Sequence, residues 1–200
     1  MISIIIPVIR PDKAIRCCKA IKENSGIPES LYEIVTEEDI ERIGAPKMVK
    51  KMTDSCRGEL VCFLGDDTIP QEGFLRYALE AMATLPEGWG VVGFNDNLYE
   101  KGKAPTHWLA DKRMLPLLGG EFFHVGYRHC WCDNELWVRA SELGKSIFCE
   151  RAFVYHDHIM VDERNDDVDY QRVYSYEWMA HDVILFRKRK RNNWQTPKGS

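Results

Sequence analysis

The chain has 200 residues, 44% of them hydrophobic and 29% charged, and a net charge of −4, the profile of one ordinary globular domain rather than a disordered or collagen-like chain. No apolar run reaches the ~18 residues that a membrane-spanning helix needs. There is no basic-then-apolar leader, and the seven cysteines are odd in number with Cys17 and Cys18 adjacent. A secreted disulfide framework is therefore not expected, and a cytoplasmic protein is.

The opening "ISIIIPV" is a near-continuous β-branched run, the pattern of a strand buried on both faces. Pro11 and Asp12 then open a helix whose apolar positions are Ala14, Cys17, Cys18 and Ile21, with Gly26 as its stop. "LYEIVT" reads as a second strand and runs into the acidic Glu37, Glu38 and Asp39. "APKMVKKMTDSCRG" reads as a helix with Met48, Met52 and Cys56 on one face, and "ELVCFLG" as a third strand.

Pro70 begins another helix, with Leu75, Ala78, Leu79 and Met82 as its stripe, and "WGVVGFN" gives a fourth strand. The first hundred residues thus run β-α-β-α-β-α-β, which predicts a mostly parallel central sheet flanked by helices. In such sheets ligands bind beyond the carboxyl ends of the strands.

The second half is less regular. "NDNLYEKGKAPTHWLADKR" reads as a loop, "CDNELWVRASELGK" as a helix and "SIFCERAFVYHDH" as a strand-like segment. "ERNDDVD" is too acidic to be buried, and "VYSYEWMAHDVILF" is a last helix. The final stretch, 187–200, carries six cations and no acid. With the tail at +6 and the whole at −4, the preceding body stands at −10. The organisation expected is one compact domain over 1–186 and a basic tail over 187–200, free to touch a polyanion or simply solvated at a helix end.

Several side chains carry chemistry. Asp66 and Asp67 stand side by side after a buried strand, where two carboxylates repel unless a cation joins them; oxygen ligands of this kind suit Mg2+ or Mn2+. The alternative is a polar turn. His156 and His158 alternate onto one strand face, as metal ligands or as histidines bonded to a carboxylate. Asp133 and Glu135 begin a helix, as a general base or as carboxylates placed by the helix dipole. "HCWC", His129 to Cys132, lacks the C-x2-C spacing and second ligand pair of structural zinc. Phosphate-binding loops of the G-x-x-x-x-G-K-[ST] and G-x-G-x-x-G kinds and a G-x-S-x-G elbow are missing from the sequence.

Taken in order, "SIIIPV", the acidic patch after the second strand, "FLGDDTIP", D-x-E-L-x-x-R-x-x-x-x-G over 133–144 and the late V-x-H at 154–156 resemble the nucleotide-sugar-dependent glycosyltransferases of the GT-A fold, family 2 type. The resemblance spans roughly residues 1 to 160. It implies a GT-A, Rossmann-like α/β domain and a metal-dependent inverting transfer of a sugar from a nucleotide-diphosphate donor, UDP-linked, to an acceptor hydroxyl. Against the family's "LDAD", "LGDD" puts Asp67 at the main metal ligand and Asp66 on the nucleotide side, with Gly65 replacing the acid that faces the ribose. Asp133 falls on the catalytic base, Cys132 replaces the family's Glu, and Glu135 is a further candidate base.

His156 or His158 would complete the Mn2+ or Mg2+ site. Glu37, Glu38 or Asp39 would lie near the uracil or ribose, and Pro7 and Val8 would line the base pocket. Trp108 and His107, in "THWL", would form a wall for the sugar or acceptor, or Trp108 would be a lid residue packed on the core. The acceptor is left open among a glycan, a lipid-linked sugar, a protein and a hydroxymethylated base in DNA. A sugar nucleotidyltransferase and a binding module without catalysis are the other readings; "PVIRPDKA" lacks the glycine-rich loop of the former.

Overall fold

The computed structural model describes residues 1–96, 98, 105–162 and 166–195. Its centre is a seven-stranded sheet in the order β2-β1-β3-β6-β5-β7-β4. The strands are β1 (Ile2–Val8), β2 (Tyr32–Glu38), β3 (Leu60–Phe63), β4 (Thr68–Pro70), β5 (Val91–Asn95), β6 (Trp108–Asp111) and β7 (Ser146–His156). The helices are α1 (Pro11–Asn24), α2 (Ala45–Ser55), α3 (Phe74–Ala83), α4 (Cys132–Glu142), α5 (Val168–Val173) and α6 (Tyr176–Arg191).

The β-α-β-α-β opening is as the apolar periodicity predicts. β1 lies parallel to both β2 and β3, and its isoleucines Ile4, Ile5 and Ile6 are fully buried because helices cover both faces. One core, above the sheet, joins β1 to α1 and α3 through Cys17, Ile21, Phe74 and Leu75. The other, below it, joins α2 and α4 to the sheet through Met52, Trp108, Phe123 and Leu136.

The sheet as a whole is mixed, not mostly parallel. Strands β1–β2, β1–β3 and β5–β7 pair parallel, whereas β3–β6, β5–β6 and β4–β7 pair antiparallel. Two strands cause this: β6, inserted between β3 and β5 from the stretch read as a loop, and β4, which ends at Pro70, where a helix was expected to begin, and pairs with β7. The four residues of β6 are all buried, and they pair Trp108 with Phe63 on one side and with Gly93 on the other. Residues 97 and 99–104 of the same stretch lie outside the described residues.

The C-terminal region also departs from expectation. The helix expected over 173–186 is α6, which starts at Tyr176 and runs on to Arg191, and a further short helix, α5, precedes it. α5 is capped by Asp167, whose side chain accepts from Asp169 N and Tyr170 N, and α6 is capped by Ser175. Glu163, Arg164 and Asn165 of the acidic run lie outside the described residues. The helix continues through the start of the basic stretch to Arg191. Arg189 there is buried and bonds both carboxylate oxygens of Glu135 at 2.7 Å. The expected boundary at 187 therefore falls inside a packed helix, and residues 196–200 lie outside the described residues.

Candidate active site

A cavity of about 490 Å3 opens at the carboxyl ends of β1, β3 and β7, where the parallel topology directs ligands. Five aspartates line it: Asp39, Asp66, Asp67, Asp133 and Asp169. Among the described lining residues Arg10 is the one arginine or lysine. Four histidines line it as well: His107, His129, His156 and His158.

The two adjacent carboxylates that end β3 have separate work. Asp66 turns back to β1, where Oδ2 accepts from Ile9 N at 2.7 Å and Arg10 N at 2.6 Å. Burial and the neighbouring Asp67 push its carboxyl up, against those N–H bonds. Asp67 points toward β7 and α5. Its Oδ1 lies 3.3 Å from His156 Nε2, and its Oδ2 accepts from the Tyr170 hydroxyl. Burial opposes its charge, but His156, Tyr170 and Arg10 outweigh that and hold it far below the usual carboxylate range.

Behind His156 stands an acid not singled out from the sequence. Asp96, at the end of β5, accepts from Thr106 Oγ1 and lies 3.2 Å from His107 Nδ1 and 3.8 Å from His156 Nδ1. The two imidazole centroids are 4.7 Å apart and nearly perpendicular. Burial disfavours a charged His156, yet Asp67 and then Asp96 hold its pKa up at about 9. Burial lowers the pKa of His107, against the pull of Asp96. Its Nδ1 faces Asp96 and the Thr106 hydroxyl, and in the neutral tautomer that donates to Asp96 its Nε2 keeps a lone pair.

Asp96, His107 and His156 each bring a ligand atom within 4.8 Å of the others, the one such group among the described residues able to hold a metal ion. The donor set fits a divalent cation on two grounds. The mixture of imidazole nitrogen and carboxylate oxygen is that of transition-metal sites. His156 Nδ1 is also buried with no hydrogen-bond partner, a place a cation would fill by displacing the proton that Asp67 and Asp96 otherwise favour on this ring.

The expected metal residues divide. Asp67 adjoins this group through His156. His158 lines the cavity 4.8 Å from His156, but both its nitrogens are engaged: Nδ1 accepts from Met160 N at 3.1 Å, and Nε2–H faces the Tyr174 hydroxyl at 2.8 Å. In this arrangement His158 offers no lone pair to an ion. Burial, with His156 beside it, takes its pKa down to about 4.

Asp133 stands at the start of α4 and faces the cavity. The chain enters that helix through Trp131 in the left-handed conformation (φ 68°), which turns residues 129–133 inward. Burial raises the Asp133 carboxyl to about 6, against one hydrogen bond from Asn134 N at 2.9 Å. That value suits proton abstraction near neutral pH.

Glu135, the other candidate base, is not in the cavity. It is buried beneath α4, where it binds Arg189, accepts from Tyr127 Oη at 2.8 Å and meets Arg139 at 3.1 Å. Its charge is consumed by this network, and the role is structural. Trp108 likewise lies in the lower core, packed on Phe63, Phe122 and Phe123; its neighbour His107 is the one that lines the cavity.

Of the residues expected near the nucleotide, Pro7 and Asp39 line the cavity, with Asp39 also accepting from Ile43 N and Gly44 N ahead of α2. Val8, Glu37 and Glu38 instead line a separate groove beside α1, and Glu37 pairs with Lys51. In "HCWC", Cys132 is buried and donates to His129 O at 3.1 Å, and the segment forms cavity wall rather than a ligand cluster.

Gly65 has a physical reason. A Cβ there would stand 2.7 Å from Asp67 Oδ1 and 3.3 Å from His107 Nε2. The space that an acidic side chain would need is occupied by the His107 ring and the Asp67 carboxylate.

Arg10 closes the cavity on the α5 side. It donates to Asp167 at 2.6 and 3.1 Å, approaches Asp66 at 3.4 Å and Asp67 at 3.8 Å, and stacks 4.4 Å from the Tyr170 ring centroid.

No protein-family model and no curated protein matches the chain. Solved structures do, at low identity. The chain superimposes with a TM-score of 0.68 on the mannosyltransferase PcManGT from Pyrobaculum calidifontis, in complex with GDP-Man and Mn2+, at 14% identity over 93% of this chain and 64% of that one. It matches S. aureus TarS with a TM-score of 0.61 and 15% identity, covering all of this chain and 46% of that one. It also matches glucosyl-3-phosphoglycerate synthase from Mycobacterium tuberculosis, in complex with Mn2+, UDP-Glc and phosphoglyceric acid, with a TM-score of 0.61, 12% identity, 94% of this chain and 80% of that one. The chain thus spans about half of TarS and under two thirds of PcManGT. These likenesses establish a distant structural relationship to sugar-nucleotide-dependent glycosyltransferases, at the level of the fold.

Proposed function

We propose that the protein is a metal-dependent glycosyltransferase that moves a sugar from a nucleotide-diphosphate donor, UDP-linked in the first instance, to an acceptor hydroxyl with inversion. One observation carries this reading: the two histidines of a metal-capable cluster and an aspartate tuned to about 6 line one cavity at the carboxyl ends of the sheet, in a fold otherwise found on nucleotide-sugar transferases.

The lining explains why a cation is needed. A diphosphate entering among five aspartates meets repulsion, and the single arginine is already shared among Asp66, Asp67 and Asp167. Asp96, His107 and His156, with Asp67 adjoining, are the residues that would hold Mn2+ or Mg2+. A bound divalent ion supplies charge neutralisation for the departing nucleoside diphosphate.

The chain's own groups do the rest. Asp133 takes the proton from the acceptor hydroxyl as that oxygen attacks the anomeric carbon from the face opposite the leaving group. Pro7 and Asp39 stand where the nucleoside would lie, with Asp66 fixing the loop that follows β1. Trp131, Val173 and Met179 give the cavity an apolar wall for the acceptor.

The test is turnover of a nucleotide-sugar panel with Mn2+ or Mg2+ and a set of acceptors. Metal-dependent release of nucleoside diphosphate is expected from at least one donor, with Asp133→Asn retaining donor binding and losing transfer. Absence of metal-dependent consumption or heat stabilisation with every donor overturns the reading. A DNA acceptor is tested by reversing the exposed charges Lys188 and Lys190, because removal from 187 onward would also take Arg189 from Glu135.

A further inference from the structure

We propose that Asp182, on α6, is a positioning residue for the transfer: its carboxylate fixes the segment 128–131 in the shape that presents Asp133 to the cavity. The proposal rests on the reading of Asp133 as the base and extends it to a helix beyond the reach of the sequence resemblance.

The segment 128–131 belongs to no helix or strand, yet it carries His129, Cys130 and Trp131 into the cavity wall and delivers α4, with Asp133, to its place. An irregular segment of this kind holds one shape only when its main-chain N–H groups find partners. Asp182 partners three in a row. Its Oδ1 accepts from Arg128 N at 2.9 Å, and its Oδ2 accepts from His129 N at 2.9 Å and Cys130 N at 2.8 Å. His181 Nδ1 lies 2.8 Å from Oδ1 as a fourth partner, and Asp182 is fully buried. Consecutive N–H groups that converge on one anion form a nest, and here the chain's own carboxylate fills it.

Neighbouring contacts reinforce the hold. Cys132 Sγ donates to His129 O at 3.1 Å and ties the segment to the first turn of α4. On the other side Gly44, ahead of α2, leaves room for Arg128 O; a Cβ there would stand 2.6 Å from that oxygen. Trp131 then turns left-handed, and Glu135 N bonds its carbonyl to begin α4. The Asp133 carboxyl takes its hydrogen bond from the main chain, at Asn134 N, so its placement follows the backbone that Asp182 fixes. A second α6 contact, Arg189 on Glu135, grips α4 beyond the segment and leaves the three N–H bonds to Asp182 alone.

The experiment compares Asp182→Asn with Glu135→Gln, which breaks that second contact. Asn keeps the shape, but its amide nitrogen turns a donor toward N–H groups that need an acceptor. Carboxyl 13C labelling of aspartate gives the Asp133 titration, assigned by its loss in Asp133→Asn; UDP affinity with Mn2+ and turnover of the nucleotide-sugar panel are measured on the same chains. In Asp182→Asn the Asp133 midpoint should fall from about 6 toward 3.8, by at least about one pH unit, because the released segment lets water reach a carboxyl that burial lifts. Its kcat should fall on the order of 100-fold, as ~1 Å misplacement of a reacting group does, with UDP affinity changed less than about threefold. Glu135→Gln should lose stability and keep both the titration and kcat.

An unmoved Asp133 midpoint or an unchanged kcat in a folded Asp182→Asn overturns the proposal, as does an equal shift of the midpoint in Glu135→Gln. Should Asp182→Asn not fold, amide exchange in the unsubstituted chain decides. Arg128, His129 and Cys130 N–H groups as slow as the middle of α6 support the hold, and exchange at the rate of an open turn overturns it. A shifted midpoint with no donor turned over by any chain would leave the hold of Asp182 on Asp133 standing and remove the transferase reading. Full transfer in Asp182→Asn would do the reverse.

Discussion

Replacing Asp133 by Asn separates two consequences of one buried carboxylate. Burial lifts its pKa from 3.8 to about 6. In the unfolded chain the group ionises near its ordinary value, so between pH 4 and pH 6 the folded state retains a proton that the unfolded state has released. Stability contributed by the neutral carboxyl is thus complete below pH 4 and lost as pH rises through 6. About two pH units at ~1.36 kcal/mol each set an upper bound near 3 kcal/mol; about 1–3 is the working range because the carboxylate faces an open cavity.

Asp133→Asn removes that titration. Relative to the unsubstituted chain it should be more stable at pH 7.5 by this amount and no more stable at pH 4, in urea melts at both values. Transfer should fall by ~10^2–10^4, the usual contribution of a general base. The unsubstituted enzyme's kcat/KM should decline tenfold per pH unit below about 6. A variant destabilised at pH 7.5, or an enzyme whose rate is flat from pH 7 to pH 5, would refute the argument for both burial and base.

Three further outcomes follow from the same geometry. Glu135→Gln should cost about 3–5 kcal/mol in urea unfolding because Arg189 would stay buried without its partner, while turnover per folded molecule is unchanged. Gly65→Ala should lower metal affinity at least about tenfold in a Co2+ titration, since its Cβ would meet Asp67 Oδ1 at 2.7 Å and force the carboxylate or the His107 ring to move. Tyr170→Phe removes the hydroxyl bonded to buried Asp67 and should cost about 1–3 kcal/mol in the metal-free protein, measured by urea melts.

The strands β1, β2 and β3 and the helices between them were legible because each carries an apolar run or stripe and a clear stop. That reading also led to Asp66, Asp67 and Asp133, since acids at strand ends and helix starts stand out locally. β6 was not legible: it is as short as β3, but its apolar run ends at Ala110 before Asp111, and Gly, Pro and charge precede it. With β6 hidden, the sheet read as parallel and His107 was read as part of a sugar or acceptor wall, not as a neighbour of His156. Asp96 sat inside the polar "NDN" and looked like a turn, although an acid directly after a predicted strand is the signal that flagged Asp66 and Asp67.

Glu135 illustrates the opposite error. Its local pattern matched a catalytic acid, but its partner Arg189 lies 54 residues away and only the packing of α6 on α4 reveals the pair. His158 is similar, since alternation placed it beside His156 but could not show Met160 N and Tyr174 taking its two nitrogens.

The central claim, that a cation mediates donor binding in this cavity, is tested most directly by calorimetric titration of a nucleotide-diphosphate sugar into the protein with Mn2+ and again in chelator. Five lining aspartates and one committed arginine predict donor affinity at least about tenfold higher with the ion, as neutralising even one close like-charge contact provides. Equal or tighter binding in chelator would contradict the account.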